Sequence, residues 1–124
     1  MHEFSVMTQI VDAVMKEAER HKAKMIREVI LEIGELTFLN NEQMVFAYEI
    51  LSRNTLLEGS KLTIKKRRAK VSCNNCSYNG LPKQFTAMHA IIPVLRCPKC
   101  NSQIRITAGK ECLIKEIKME VLDV

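Results

Sequence analysis

The sequence predicts an α+β fold in which a four-cysteine zinc ribbon is inserted into a small α/β domain, two helices on a three-stranded sheet. Hydrophobic residues follow a helical period in two segments and alternate in three others, and the last alternating segment comes after the cysteines. That last strand needs the earlier strands as partners, so the ribbon is expected to be an insertion and not a tail. We expect the α/β domain to comprise residues 1–68 and 109–124, and the zinc domain residues 69–108.

Two helices are predicted. The first covers residues 4–20, where apolar side chains recur at steps of three and four, at Met7, Ile10, Val11, Val14, Met15 and Ala18. The second begins after Asn40, because an Asn cap with Gln43 three residues later can satisfy free amides from both sides. It should end near Arg53, with one face formed by Met44, Ala47, Tyr48 and Leu51.

Three half-buried strands are predicted from the alternation of apolar and polar residues. The first covers residues 27–36, and the second runs from 61 to about 68, after a turn at Gly59. The third covers residues 111–122 and closes the sheet of the α/β domain. A shorter strand is expected at 103–106, inside the ribbon.

Two Cys-x-x-Cys turns, separated by twenty residues, dominate the middle of the chain. Four thiolates form a closed tetrahedral site, which leaves no open position for chemistry, and the spacing lies at the upper edge of the zinc pattern. We therefore predict structural Zn(II) held by Cys73, Cys76, Cys97 and Cys100. Two disulfides or a redox pair are the alternatives, disfavoured because nothing else in the chain is typical of a secreted or redox-active protein. Cys112 is expected to be a small buried side chain.

The composition is typical of a soluble globular protein. The formal net charge is +5, and much of it lies in residues 65–68 and in Lys70. No apolar run reaches the ~18–20 residues needed to cross a membrane, and the first residues lack the basic and apolar regions of a signal peptide. Together with five cysteines, these features predict a reducing, cytoplasmic location and no membrane partner.

Enzymatic activity is not predicted. The four glycines are scattered and form no phosphate-binding loop, and no Ser-His-Asp or Cys-His arrangement can be assembled. A small metalloenzyme is disfavoured because four thiolates leave zinc no open position. The main alternative is a zinc-ribbon nucleic-acid-binding module, which the basic run beside the ribbon supports. Against it, Tyr78 and Phe85 are the only aromatic residues near the ribbon that could stack on bases.

The first three residues, Met1, His2 and Glu3, could form a second metal site. A free α-amine, the backbone nitrogen of His2 and its imidazole can form fused chelate rings around one ion. The backbone nitrogen must lose its proton, which favours Cu(II) or Ni(II) in a square-planar site. Glu3 can add its backbone nitrogen or its carboxylate. A chance His after the initiator Met is the alternative, although the helix that follows would hold the tripeptide at a fixed end of the domain.

His89 lies in the spacer between the cysteine pairs. It is not needed for zinc, but it could complete the shell around a second metal if the two domains approach each other. A solvated or core histidine is the more common role for such a residue.

These features together resemble the HypA/HybF family, the nickel metallochaperones of hydrogenase maturation. The resemblance covers the whole chain and rests on Met-His-Glu at the start, Leu-Glu-Ile-Gly-Glu-Leu at 31–36, Leu-Leu-Glu-Gly at 56–59, the two cysteine pairs, Gly-Lys-Glu at 109–111 and Lys-Met-Glu at 118–120. It implies a nickel-binding domain around Met1, His2 and Glu3 and a structural zinc domain on the four cysteines. It also implies transient binding of Ni(II) and its delivery to the large subunit of a [NiFe] hydrogenase, with a HypB-type nucleotide hydrolase as partner.

The sequence departs from this family in two places. A glycine commonly follows each cysteine pair, where the backbone favours positive φ. Ser77 and Asn101 stand there instead, and Ser tolerates that conformation less well than Asn. Residues 65–68 are basic, where relatives are often acidic.

Overall fold

The computed structural model describes residues 3–87 and 90–121, and these divide into two compact units. We call them the helical unit, which comprises Met1–Ile33, Phe38–Lys65 and Cys112–Val124, and the cysteine unit, which comprises Gly34–Thr37 and Lys66–Glu111. No helix in the described part of the chain is long and apolar enough to cross a membrane.

Two α-helices and eight strands make up the described chain. In order, they are α1 (Glu3–Arg20), β1 (Ala23–Gly34), a 3-10 helix (Glu35–Thr37), α2 (Asn41–Ser52), β2 (Lys61–Arg67), β3 (Lys70–Ser72), β4 (Asn79–Gly80), β5 (Lys83–Ala87), β6 (Ala90–Val94), β7 (Arg105–Ala108) and β8 (Cys112–Val121).

A three-stranded sheet with the order β2-β1-β8 supports the helical unit. The central strand β1 pairs antiparallel with β8, with Val29 opposite Ile117 and Leu31 opposite Ile114. The predicted architecture of two helices on three strands, with a cysteine module inserted, is confirmed. It holds because α1, α2 and the sheet share one core, whose fully buried large side chains are Met7, Val14, Ile26, Val29, Leu31, Met44 and Leu57.

The helix faces follow the predicted periodicity. All predicted positions of α1 are buried except Met15, which is partly buried and packs against the core. In α2, Met44, Ala47 and Tyr48 are buried, and Leu51 packs against the same core. The charged faces of α1 remain in solvent, as expected for an amphipathic helix on one side of a sheet.

The strands differ from the prediction in several places. Strand β1 ends at Gly34 and not at residue 36, because a 3-10 helix follows over Glu35–Thr37, and the short strands β3 and β4 were not predicted. Strand β1 begins at Ala23, not at residue 27, because irregular pairing with β8 near Met25 and Arg27 breaks the alternation of its first half. Strand β7 lies two residues later than predicted, and Gln103 forms only an isolated bridge with Arg96. The hairpin of β5 and β6 was not predicted because it contains Pro93, which a two-stranded sheet tolerates at its edges.

Within the cysteine unit, the segment Gly34–Thr37 is hydrogen-bonded to residue 69 and to residues 109–111. We call this place the base of the cysteine unit. The backbone N–H of Gly34 donates to the Glu111 carbonyl at 2.9 Å, and that of Leu36 donates to the Gly109 carbonyl at 2.8 Å. The Ala69 N–H donates to a carboxylate oxygen of Glu35 at 3.0 Å.

Two glycines permit this close approach. A Cβ on Gly34 would lie 2.3 Å from the Gly109 carbonyl oxygen, and one on Gly109 would lie 2.6 Å from the Cα of Ala69. Gly109 also has a φ of 92°, which disfavours any other residue.

Candidate metal centre

The four cysteine sulfurs of the two turns lie within 4.8 Å of one another. The Cys73 and Cys100 sulfurs are 3.5 Å apart, and those of Cys76 and Cys97 are 3.4 Å apart. All four are free thiols, at distances far beyond the ~2.05 Å of a disulfide bond. A tetrahedron of sulfurs at ~2.3 Å from a zinc ion has edges of about 3.8 Å. The cluster therefore has the size and the donor chemistry of a tetrahedral thiolate site.

Both turns close in the same way. The N–H of Cys73 donates to the carbonyl of Tyr78 at 2.8 Å, and the N–H of Cys97 donates to the carbonyl of Ser102 at 2.9 Å. The residue that follows each pair reverses the chain in the left-handed region, with a φ of 63° at Ser77 and 60° at Asn101. Each turn thus brings both of its sulfurs to one side of the chain.

Hydrogen-bond donors point at the second pair of sulfurs. The backbone N–H groups of Lys99 and Cys100 donate to the Cys97 sulfur at 3.4 and 3.5 Å. The side-chain amide of Asn75 donates to the Cys100 sulfur at 3.5 Å and to the Ser102 hydroxyl at 3.2 Å. Asn75 belongs to the first turn, so this amide links one turn to the other. Such donors stabilise thiolates and hold them in position for a metal.

These contacts shift the pKa values of the cysteine thiols in different directions. Hydrogen bonds from Asn75 and Ser102 lower the pKa of Cys100 to about 5. Burial acts to raise the pKa of Cys97, but the backbone amides of Cys100 and Lys99 outweigh it, and the net shift is downward. Sharing a proton with the Cys97 sulfur raises the pKa of Cys76 to about 12. The hydrogen-bond donors of the second turn therefore favour the thiolate form, which is the form that binds a metal.

The two turns differ in exposure. Cys73 and Cys97 are buried, Cys100 is half-buried and Cys76 is exposed. Cys112, which was expected to be a small buried side chain, is half-buried in β8 and packs against the core of the helical unit. Burial raises the pKa of its thiol.

The predicted nickel ligands are only partly within the described chain. Met1, His2 and His89 lie outside the described residues. Glu3 is the first residue of α1, and its carboxylate accepts a hydrogen bond of 2.9 Å from the backbone N–H of Asn40.

Asn40 caps α2, as predicted, because its side-chain oxygen accepts from the N–H of Gln43 at 2.9 Å. The backbone N–H of Asn40 was expected to donate to the side chain of Gln43. It donates instead to the carboxylate of Glu3 in α1.

Sequence reasoning missed two of these contributors. Asn75 lies between Cys73 and Cys76, a position from which a side-chain amide can bond to a sulfur. The spacing along the chain does not show that this sulfur belongs to Cys100 of the other turn. The bond between Glu3 and Asn40 joins residues far apart in the chain, and no local pattern marks it.

Comparison with known proteins identifies a family of relatives. A family model described as "Hydrogenase/urease nickel incorporation, metallochaperone, hypA" matches residues 1–119. The hydrogenase maturation factor HypA of Methanothermobacter thermautotrophicus is 38% identical, over 99% of this chain and all of the other. That of Methanococcus aeolicus is 39% identical, over 97% of this chain and 98% of the other.

Solved structures agree with this assignment. The solution structure of the Ni metallochaperone HypA from Helicobacter pylori superposes with a TM-score of 0.68 at 26% identity, covering 98% of this chain and all of the other. A second structure, described as the solution structure of HypA protein, has a TM-score of 0.69 at 25% identity, and 96% of each chain is covered. From its sequence, its fold and its cluster of four cysteines, the chain belongs to the HypA family.

Proposed function

We propose that this protein is a nickel metallochaperone that binds Ni(II) and delivers it for the maturation of a [NiFe] hydrogenase. The observation that carries this proposal is the match to a family described by nickel incorporation, which runs from residue 1 to 119 and includes the cysteine unit. The cysteine cluster adds support for a role other than catalysis, because four thiolates around one ion leave no position for a substrate. The mechanism is ligand exchange, in which the nickel passes from this protein to the next.

The proposed nickel donors are the α-amine of Met1, the backbone nitrogen and imidazole of His2, and one group of Glu3. Glu3 begins α1, so its own backbone N–H belongs to the first turn, where amides have no partner within the helix. Its carboxylate already accepts from Asn40. We therefore favour the backbone nitrogen of Glu3 over its carboxylate as a donor. The positive end of the helix dipole supports this choice, because it stabilises a deprotonated nitrogen.

The zinc site is proposed to be structural, with Cys73, Cys76, Cys97 and Cys100 holding Zn(II). Zinc supplies binding energy that folds small modules with little core of their own. We propose a zinc domain at residues 69–108 and a nickel-binding domain at residues 1–68 and 109–124. The compact cysteine unit, with Lys66–Glu111, supports this division and adds Gly34–Thr37 to the cysteine side.

The partners proposed are the large subunit of a [NiFe] hydrogenase and a HypB-type nucleotide hydrolase. His89 is proposed to complete the nickel shell only when the two domains approach each other on such a partner. Five free thiols are consistent with a reducing compartment, and we propose the cytoplasm. Nucleic-acid binding by the ribbon is not favoured, because the family match points to metal delivery.

Nickel titration of the zinc-loaded protein tests the proposal. His2→Ala, and a variant with one residue added ahead of Met1, should each lose tight nickel binding while zinc content and thermal stability stay unchanged. His21→Ala is the matched control, since His21 is exposed and its imidazole contacts its neighbours Glu17 and Arg20. A titration of His2→Ala that matched the unmodified protein would contradict the proposed nickel site.

A further inference from the structure

The charges of the chain are unequally divided between its two units. The cysteine unit contains nine Lys and Arg residues and only two carboxylates, Glu35 and Glu111, for a formal net charge of +7. The helical unit contains ten Lys and Arg residues and twelve Asp and Glu residues, for a net charge of −2. Four thiolates around one Zn(II) would remove two positive charges from the cysteine unit and leave it strongly cationic.

Four of these cations lie on or beside the paired strands β3 and β7. Lys70 and Ser72 point to the same side of β3, since side chains alternate along a strand, and Ser72 is paired with Arg105. At the open end of this pair, Gly109 lies against the backbone of Arg68 and Ala69. Arg68 and Lys110 therefore extend the same ribbon. We call the four exposed side chains, Arg68, Lys70, Arg105 and Lys110, the cationic ribbon.

The cationic ribbon lacks internal neutralisation. Among residues 3–87 and 90–121, none of its four members takes part in an ion pair. In the helical unit, by contrast, ion pairs engage Lys16, Arg20, Arg27, Lys115 and Lys118. The two carboxylates of the cysteine unit lie at one end of the cationic ribbon, since Glu111 follows Lys110 and Glu35 accepts from the Ala69 N–H, between Arg68 and Lys70. Two carboxylates that form no ion pair with the cationic ribbon leave an excess of like charge, which opposes folding, and an anionic partner would relieve it.

We propose that the cationic ribbon is a docking surface for an acidic segment of a protein partner. Carboxylate side chains of such a segment would provide the charge complementarity that steers association and fixes orientation. Arg68 and Arg105 can each bind a carboxylate through two parallel N–H groups, and the lysines add point charges.

The choice of a protein partner rests on the proposed function, because a metallochaperone acts by docking on other proteins. The described cysteine unit also offers little to a nucleic acid. It has no α-helix to enter a major groove. The hydroxyl of Tyr78 donates to the Leu81 carbonyl, and the Lys99 ammonium lies 6.0 Å from the centre of its ring, so this ring is already engaged and not presented as a stacking platform.

Binding of a labelled glutamate-rich peptide to the full-length, zinc-loaded protein tests the proposal. We expect binding at low salt that weakens as the Debye length falls from ~10 Å at 0.1 M to ~3 Å at 1 M. The double reversal Lys70→Glu with Arg105→Glu should weaken it about tenfold, which is a modest loss for each exposed charge. Nickel and zinc binding should not change in this variant, so failure of this inference is distinguishable from failure of the proposed function.

Two controls separate the surface from net charge. The reversal Lys24→Glu with Arg53→Glu changes the net charge equally, at exposed positions of the helical unit, and should leave peptide affinity nearly unchanged. Within the cysteine unit, Arg96→Glu lies outside the cationic ribbon and is compared with Lys70→Glu alone, which changes the net charge equally; Arg96→Glu should have the smaller effect. Equal losses in all variants would overturn the proposal, and so would tighter binding to a mixed-sequence DNA duplex that depends on Lys70 and Arg105.

Discussion

The backbone N–H of Asn40 donates a hydrogen bond of 2.9 Å to the carboxylate of Glu3, which ties the first residue of α1 to the cap of α2. Two helix N-termini are thereby joined by one carboxylate. Glu3 directly follows His2 in the chain, so the proposed nickel donors include and precede a residue that links the N-termini of both helices.

Removing the Glu3 carboxylate should destabilise the link between the N-termini of α1 and α2. Glu3→Ala leaves the Asn40 amide without its acceptor and should lower the free energy of unfolding by about 0.5–1.5 kcal/mol. Glu3→Gln keeps an acceptor oxygen and should lose less. Urea denaturation measures both, and nickel titration of Glu3→Gln adds a second readout. If Glu3→Gln lost nickel binding while remaining as stable as the parent, the carboxylate and not the backbone nitrogen would be the donor.

Nickel affinity should rise with pH. The proposed donors must lose protons before they bind, and an α-amine titrates at ~7.7–8 and an imidazole at ~6.5. We expect the apparent association constant to climb steeply between about pH 6 and 8. Titrations in several non-chelating buffers check this, with zinc content measured in parallel. A flat profile would rule out the α-amine and the imidazole as ligands.

Each of the four clustered cysteines should be needed for the metal of the cysteine unit. Replacing Cys73 or Cys97 with Ser should release zinc and unfold the cysteine unit, because both residues are buried and each supplies one of the four sulfurs. The helical unit has its own core and should keep its helical circular dichroism. Cys112→Ser is the control and should retain one zinc per chain. Retention of tightly bound zinc by Cys73→Ser would refute the four-thiolate assignment.

The residues after each cysteine pair should respond differently to glycine. Ser77→Gly relieves a left-handed conformation that costs a side-chain-bearing residue about 1–2 kcal/mol, so it should slow zinc loss to a chelator. Asn101→Gly should have a smaller effect, since Asn adopts this conformation more readily. Ser77→Val should accelerate zinc loss. Equal gains from both glycine substitutions would show that the two turns are equally strained.

Stability should fall in acid partly through Glu28. A hydrogen bond from the Thr63 hydroxyl, aided by the Lys118 ammonium at 3.4 Å, holds the pKa of this carboxyl below its usual 4.5. A carboxyl whose pKa is lowered by folding stabilises the native state above its unfolded pKa, and this contribution is lost as the pH falls through the folded value. Glu28→Gln should therefore flatten the stability profile below about pH 5. Glu49→Gln, an exposed site on α2, should leave the profile unchanged.

Most of the helical unit could be predicted from the sequence because its signals are local. The spacing of Met7, Val14 and Met44 marks the buried faces of both helices, and alternation around Val29 and Leu31 marks the central strand. The first four residues of β1 were missed because irregular pairing with β8 hides the alternation, and this pairing depends on a strand almost a hundred residues away.

The cysteine cluster could likewise be predicted from two short spacings, but its asymmetry could not. The inequality of Cys76 and Cys100 arises from Asn75, Ser102 and the Cys97 sulfur, which meet only after the two turns fold together. The same limit applies to the bond between Glu3 and Asn40. Contacts of this kind depend on the distance between side chains in space, and spacing along the chain does not encode it.

The close packing of Gly109 on Ala69 has a consequence for how this chain can diverge. Because the two ends of the inserted segment already touch, the residues between them form a loop whose closure is secured at its base. Doubling the length of a flexible loop costs only about 0.6 kcal/mol. Residues can thus be gained or lost between the cysteine turns without disturbing the sheet, whereas a single methyl group at Gly34 or Gly109 would force the base apart.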